Sequence, residues 1–221
     1  MKGDSIIIEK HHEAAAADIV PVILPMLEKQ SGRFTISVAG QSGSGKSETA
    51  TAIARALEPF GIESVIFHQD DYFVHPPKTN DATRRADIDW VGTGEVHLDL
   101  MDAHLDAFLR GASTIEKPLA DYAKDTILSE TMDTGNARVA LADGTYTSLL
   151  HNVNCRVFID RTYLDTRAHR EKRKRDESEL DPFIDRVLEI EHAIISAHKK
   201  RADIIVNKDY SVTVASDKFQ A

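Results

Sequence analysis

Short apolar runs alternate along this chain with longer segments whose apolar residues recur at three- and four-residue intervals. The short runs are rich in β-branched residues and predict strands over residues 34–39, 64–68, 139–142, 156–159 and 203–206. The longer segments predict amphipathic helices over residues 48–57, 95–110 and 181–201. Because strands and helices alternate, the pattern predicts an α/β fold with a parallel sheet of about five strands and helices on both faces.

The segment before the first core strand is predicted to be a leader packed on the core. Residues 1–33 contain a short apolar run at 5–8, which predicts a strand, and an Ala-rich helix at 12–20. Pro21 should end this helix, because proline lacks the backbone donor that a helix interior needs. The role of this leader cannot be inferred from the sequence.

A glycine-rich run directly follows the first core strand and precedes a predicted helix. Glycines let the backbone wrap closely around a phosphate, so that N–H groups and the helix N-terminus point at the anion. Lys46 would neutralise the β- and γ-phosphates, and the Ser47 hydroxyl would ligate Mg²⁺. A turn that binds nothing is the alternative, which the strand–loop–helix context disfavours. We therefore predict that the chain binds a nucleoside triphosphate through Gly40, Ser42, Gly43, Ser44, Gly45, Lys46, Ser47 and Glu48.

Acidic residues follow two other predicted strands, at the edge of the sheet where open α/β folds bind ligands. Asp70 lies just after the strand that ends at His68, where its carboxylate could accept a proton from a hydroxyl or orient Mg²⁺ through water. Asp143 follows the third strand, where a magnesium-directing carboxylate is expected. At Asp70 the alternative is an ordinary acidic turn, which the nearby phosphate loop disfavours. At Asp143 the alternative is an Asp-Gly hairpin turn, and we give it the same weight as the metal site.

A basic segment spans residues 161–175 in a chain that is otherwise acidic. At helical spacing, Arg167 and Arg170 share a face with Lys174 or Arg173. Such a face fits a lid over residues 161–180 that neutralises charge during phosphoryl transfer. A solvated basic helix and a nucleic-acid patch are the alternatives.

Length, net charge and cysteine content exclude several classes of protein. The chain has 221 residues, enough for one sizeable core, and a net charge of −9 that argues against a nucleic-acid partner. Cys155 is its one cysteine, which excludes an internal disulfide and a cysteine-based zinc site. The longest apolar stretch, residues 19–27, is too short to span a bilayer, and no signal pattern precedes it. We expect a cytoplasmic protein without a membrane partner; a homo-oligomer is left open.

These segments together resemble the uridine kinase/phosphoribulokinase group of P-loop kinases, over most of residues 34–206. The resemblance implies ATP and Mg²⁺ as cofactors, with Asp70 in the segment Gln69-Asp70-Asp71-Tyr72-Phe73 as the base that activates an acceptor hydroxyl. It places Asp143 near Mg²⁺, although the family usually has glutamate there. It also implies that Arg167 and Arg170 are catalytic and that Arg173 contacts nucleotide.

The acceptor side departs from uridine kinases. The His and Arg that hold the nucleoside there are absent from residues 117–125, and the loop-like insert at 72–94 is longer. Residues 113–134 are predicted to form extended pieces or a hairpin that covers the acceptor. Candidate acceptor contacts are Asp70, Tyr72, Arg84, Arg85 and Tyr122; for Arg84 and Arg85, pairing with Asp87 and Asp89 at the surface is an equal alternative.

The sequence therefore predicts an ATP- and magnesium-dependent kinase in one domain over residues 34–221, with a nucleoside such as uridine as the first acceptor to try. Another acceptor, such as a sugar, glycerate, a pantothenate-like compound or a nucleotide-sugar, is left open. A nucleotide-binding switch belongs to a different class. Residues 207–210 lack the final acid of the guanine-reading motif, which disfavours a GTPase.

Overall fold

Two β-sheets are present in the computed structural model, which describes residue 2 and residues 6–166 and 181–217. Their strands are β1 (Phe34–Gly40), β2 (Ser64–His68), β3 (Thr114–Asp121), β4 (Thr126–Asp133), β5 (Val139–Gly144), β6 (Cys155–Ile159), β7 (Ile204–Val206) and β8 (Val212–Val214). The larger sheet has the order β2-β5-β1-β6-β7-β8, parallel except for β8, and β3 pairs with β4 as an antiparallel hairpin. The five predicted strands and the hairpin are confirmed; β8 was not predicted.

Helices cover both faces of the larger sheet. The helices of the described residues are α1 (Lys10–Lys29), α2 (Lys46–Leu57), α3 (Pro77–Ala86), α4 (Leu98–Leu109) and α5 (Pro182–Ile195). One apolar cluster joins α1 and α2 to one face, and a second joins α4 and the end of α5 to the other. Along β5, Leu141 belongs to the first cluster and Ala142 to the second, because successive side chains point to opposite faces. The predicted fold class is confirmed.

The leader differs from its prediction. Residues 6–8 are irregular rather than a strand, and α1 continues through Pro21 and Pro25 to Lys29. Both prolines face solvent, where water can satisfy the carbonyl groups that lose a donor. On the opposite side of the helix, Ile19, Ile23 and Leu27 are buried against the sheet. This burial outweighs the local cost of the prolines, which is about 3 kcal/mol each.

The insert at residues 72–94 was predicted to be a loop. This prediction is wrong for the middle of the insert, where helix α3 forms. Pro77 is the first helical residue, a position at which proline's fixed φ is already suitable. The helix ends at Ala86, and three-residue 3₁₀ turns follow at 88–90 and 93–95. The insert that follows β2 therefore consists largely of helical turns rather than of a long loop.

The described residues contain no helix with the length and apolar character needed to cross a bilayer. Cys155 is buried within β6, as its apolar setting predicts.

Candidate active site

The glycine-rich run forms a loop between β1 and the first turn of α2. Gly43 and Gly45 take φ values of 75° and 94°, in the left-handed region that other residues avoid. Helix α2 begins at Lys46, so the unpaired backbone donors of its first turn face the loop. This arrangement is suited to binding a phosphate group.

A pocket in front of this loop brings together most of the residues predicted to bind nucleotide and metal. It is lined by Ile6, Ser42, Gly43, Gly45, Lys46, Ser47, Glu48, Asp70, Asp143, Gly144 and Thr145. Gly40 and Ser44 are buried behind it. Three distant parts of the sequence meet here because β1, β2 and β5 are parallel strands whose carboxyl ends lie at one edge of the sheet, and Ile6 of the leader adds a fourth.

Hydrogen bonds link the loop to the acidic strand ends. Ser47 donates through its hydroxyl to Oδ2 of Asp143, and Nδ1 of His68 lies 2.6 Å from Oδ1 of the same carboxylate. Lys46 donates from Nζ to the carbonyl oxygen of Gln41 at 2.9 Å, so its ammonium group lies over the loop. The sequence did not identify His68 as part of the site. The sequence signal available was its position, since His68 ends the predicted strand 64–68 and stands two residues before Asp70. The structure shows that it is the register partner of Asp143 on β5.

The carboxylates of Asp143 and Asp70 are shifted in opposite directions. Burial would raise the pKa of Asp143, but His68, Ser47 and Lys46 together hold it below its usual range. Asp70 lacks such partners: desolvation by the surrounding protein raises its pKa, and Asp143 adds to this, against the opposing charge of Lys46. The residue is nevertheless exposed, because it faces the open pocket. One carboxylate is thus kept ionised, and the other takes up a proton more readily, as suits a base.

Asp71 differs from its neighbour Asp70 in burial and in hydrogen-bond partners. It is buried, accepts from Nζ of Lys117 at 2.9 Å, and accepts from the backbone N–H of Ala120 at 3.0 Å. Lys117 also contacts Glu130 at 3.0 Å. Asp71 therefore anchors the β3–β4 hairpin, while Asp70 is left facing the phosphate loop.

Gly144 allows the segment after β2 to lie against the end of β5. A Cβ added to Gly144 would lie 2.2 Å from Cβ of Gln69. The Gln69 side chain accepts from the backbone N–H of Tyr146 at 2.7 Å, which ties the two strand ends together. The glycine after Asp143 is therefore required by packing, and the segment is not the hairpin turn considered as an alternative.

Two predicted acceptor contacts do not reach the pocket. Tyr72 is fully buried in the core, with its hydroxyl 2.9 Å from Nδ1 of His104. Arg84 donates to both oxygens of the buried Glu95 at 2.7 Å and lies 3.6 Å from Glu191. Both side chains are held by the protein interior and do not line this pocket, and their acceptor contacts stay predictions.

Of the other three predicted acceptor contacts, Asp70 lines the pocket, and Arg85 and Tyr122 lie on the surface. Arg85 pairs with Asp81 at 2.8 Å and with Asp181 at 2.7 Å, rather than with Asp87 or Asp89. Tyr122 lies at the end of the hairpin, 40% exposed, with Nζ of Lys78 over its ring at 5.7 Å. Arg167, Arg170 and Arg173 lie outside the described residues.

A further contact that the sequence did not reveal joins the phosphate loop to the start of the basic segment. Gln41 accepts through Oε1 from the backbone N–H of Tyr163 at 2.6 Å and contacts His192 of α5 through Nε2. A glutamine inside a glycine-rich loop carries no pattern that points to either partner.

The fold and the loop at its sheet edge define a P-loop kinase. Residues 35–215 match the model of the Phosphoribulokinase / Uridine kinase family. The chain therefore belongs to this family and is a phosphotransferase.

Its relatives carry kinase names with different acceptors. The chain is 34% identical over 192 residues to the bifunctional alpha-galactosidase/sucrose kinase of Mediterraneibacter gnavus, covering 81% of this chain but only 20% of that protein. It is 27% identical to the uridine kinase of Listeria monocytogenes, covering 83% of this chain and 91% of that protein. The D-glycerate 3-kinase from Cryptococcus neoformans has a similar structure, with a TM-score of 0.59, 12% identity, and 91% and 97% of the two chains covered. The last likeness shows the fold alone.

Proposed function

We propose that this kinase transfers the γ-phosphoryl group of ATP to a hydroxyl group of a small metabolite. The observation that carries the proposal is the pocket in which Asp70 and Asp143 face the phosphate-loop residues Lys46 and Ser47. A general base, a cation for the transferring group and oxygen donors for a metal are the parts that phosphoryl transfer requires.

The residues present fit Mg·ATP. The positive φ angles of Gly43 and Gly45 form a cradle for a polyphosphate at the N-terminus of α2. The Ser47 hydroxyl and the Asp143 carboxylate are hard oxygen donors already held together, and they would hold Mg²⁺. The described residues include no cluster of three or more His, Cys, Asp or Glu side chains suited to a metal. Bound Mg²⁺ would neutralise charge on the β- and γ-phosphates.

The chain's own residues then have distinct tasks. Asp70 accepts the proton of the attacking hydroxyl, and Lys46 stabilises negative charge on the phosphoryl group. Asp143, kept ionised by His68 and Ser47, does not compete for that proton. The catalytic and nucleotide contacts assigned to Arg167, Arg170 and Arg173 remain predictions.

The acceptor class is the finer part of the proposal. Resemblance to uridine kinases makes a nucleoside the first candidate, with Tyr122 exposed on the hairpin as a contact. The 34% identity to a protein named for sucrose kinase activity supports a carbohydrate as the second. Both classes offer several hydroxyl groups.

A phosphoryl-transfer screen with Mg·ATP tests the proposal, using nucleosides, mono- and disaccharides, glycerate and vitamin precursors. A kinase consumes ATP quickly only in the presence of its acceptor. If ATP is bound but its hydrolysis is unaffected by every acceptor in the screen, a nucleotide switch becomes the better description.

Two neighbouring substitutions test the assignment of the base. Asp70→Asn should lower kcat by about 10²–10⁴-fold while ATP affinity stays near that of the wild type. Asp71→Asn should instead lower thermal stability, because it weakens the buried pair with Lys117. An Asp70→Asn variant with wild-type kcat rules out this base.

A further inference from the structure

The leader contacts the phosphate site at two points, although it lies outside residues 35–215 that match the family model. Ile6 lines the pocket in front of the loop. His12, in the first turn of α1, is buried beside the loop: a Cβ added to Gly45 would lie 2.8 Å from Nε2 of His12 and 3.4 Å from its Cδ2. The imidazole ring therefore lies directly against the glycine that caps α2.

Gly45 sets the direction in which α2 begins. It is the N-cap residue of the helix, with φ of 94°, and its carbonyl oxygen accepts from the backbone N–H of Thr49 at 2.8 Å. The backbone donors that would receive a phosphate follow it directly. Because glycine has access to a wide range of backbone angles, a rigid neighbour is needed to restrict it to this one.

The His12 ring is held at both of its nitrogen atoms. Nδ1 accepts from the backbone N–H of Glu9 at 3.1 Å, so the ring carries its proton on Nε2 and is neutral. Nε2 of His12 lies 3.2 Å from Nε2 of His11, which is therefore the acceptor of this proton. Tyr210 packs in turn on His11, with the ring centroids 3.9 Å apart. His12 is 1% exposed and thus presents a fixed ring to the loop.

Small side chains hold α1 close to α2. Ala15 and Ala16 of α1 and Ala50 of α2 are buried in the apolar cluster that joins both helices to the sheet. The distance between packed helices depends on the side chains at the contact, and alanines permit a short one. Ile23 is buried in the same cluster, about 16 Å farther along α1 than His12 at a rise of about 1.5 Å per residue. The first turn of α1 is therefore the part that meets the loop.

We propose that His12 is a positioning residue of the phosphate site, whose ring holds Gly45 and the first turn of α2 in the conformation that receives phosphate. The inference rests on the proposed function and extends the active site to α1. His12 acts through the backbone of Gly45 rather than on the reacting atoms. Donors that are already in place bind an anion without the cost of ordering the loop, so removal of the ring should weaken binding.

Calorimetry with two ligands tests this role without measuring activity. Mg·ATP and magnesium tripolyphosphate share the phosphates, and only the first carries a nucleoside. His12→Ala should raise the Kd for both ligands by about tenfold. His12→Asn should raise both values as well, because its Oδ1 can replace Nδ1 as the acceptor for Glu9 but leaves no ring against Gly45. It should melt at a higher temperature than His12→Ala, since it keeps the bond at the start of α1.

Ile23→Ala is the matched control for a general loosening of α1. It removes buried apolar surface from the same helix, so it should lower the melting temperature at least as much as His12→Ala does. Because Ile23 is remote from the loop, the Kd values for both ligands should stay within about twofold of the wild type. A residue that only stabilises the fold would behave like Ile23.

The outcomes separate this inference from the proposed function. Wild-type Kd values in both His12 variants overturn the positioning role while leaving the kinase proposal intact. An equal loss of affinity in Ile23→Ala also overturns it, because the effect would then come from α1 as a whole. Weaker binding of Mg·ATP alone overturns it too, since the contact would lie outside the phosphate loop. Failure of the wild type to bind either ligand overturns the proposed function together with this role.

Discussion

Nδ1 of His68 lies 2.6 Å from Oδ1 of Asp143, while the other oxygen of that carboxylate accepts from Ser47. The two residues are register partners on the parallel strands β2 and β5. The pKa of Asp143 is lowered, so its carboxylate is ionised and His68 is the donor. The histidine therefore orients the carboxylate that would hold Mg²⁺ with Ser47.

Removal of this donor should weaken the response to magnesium. We expect His68→Ala to raise the Mg²⁺ concentration needed for half-maximal activity by about 10-fold or more, as loss of a partner that orients a metal ligand usually does. Titration of activity with MgCl₂ at saturating ATP measures the effect. His68→Asn is the control: its amide can still donate, so part of the response should return. A wild-type magnesium response in His68→Ala contradicts the role of the pair.

The raised pKa of Asp70 predicts the acidic limb of the pH profile. The base must be ionised, and a raised pKa keeps it protonated to a higher pH, so kcat/KM should fall as pH decreases through that value. The midpoint of this fall in kcat/KM should lie at a pH above the pKa of an ordinary aspartate, which is about 3.9. Residual activity of Asp70→Asn should lack the limb. A limb that persists in this variant would assign it to another group.

Gly144→Ala should destabilise the protein, because the added Cβ would lie 2.2 Å from Cβ of Gln69. We expect a loss of about 1–3 kcal/mol in the free energy of unfolding, typical of overpacking, measured by urea denaturation. The matched control is Gly94→Ala, where nothing lies within 4 Å of an added Cβ. Equal stability of the two variants would show that the segment after β2 shifts freely.

Two adjacent arginines of α3 should differ sharply on substitution. Arg84→Met removes the cation that pairs with the buried Glu95, which keeps only hydrogen bonds from neutral donors, and should lower the free energy of unfolding by about 3–5 kcal/mol. Arg85→Met removes pairs at the surface, with Asp81 and Asp181, and should change stability little. Thermal melting compares the variants. A stable Arg84→Met protein with a raised acceptor KM would support the acceptor contact predicted for Arg84.

The sequence by itself determined the elements whose signals are local. The loop from Gly40 to Ser47 is marked by glycines within a short span, and the core strands are marked by apolar runs. Both were therefore predicted with nearly their observed bounds. The positions of Asp70 and Asp143 followed in turn, because the ends of parallel strands lie at a common edge.

Tertiary structure alone decided what depends on distant partners. Helix α1 passes Pro21 because one side of it is buried on the sheet, and Arg84 turns inward because Glu95 and Glu191 are buried beside it. His11 meets Tyr210 only because the first turn of α1 lies beside the turn that joins β7 to β8. Such contacts arise from the burial of surfaces far apart in the chain, for which a single sequence carries no local pattern.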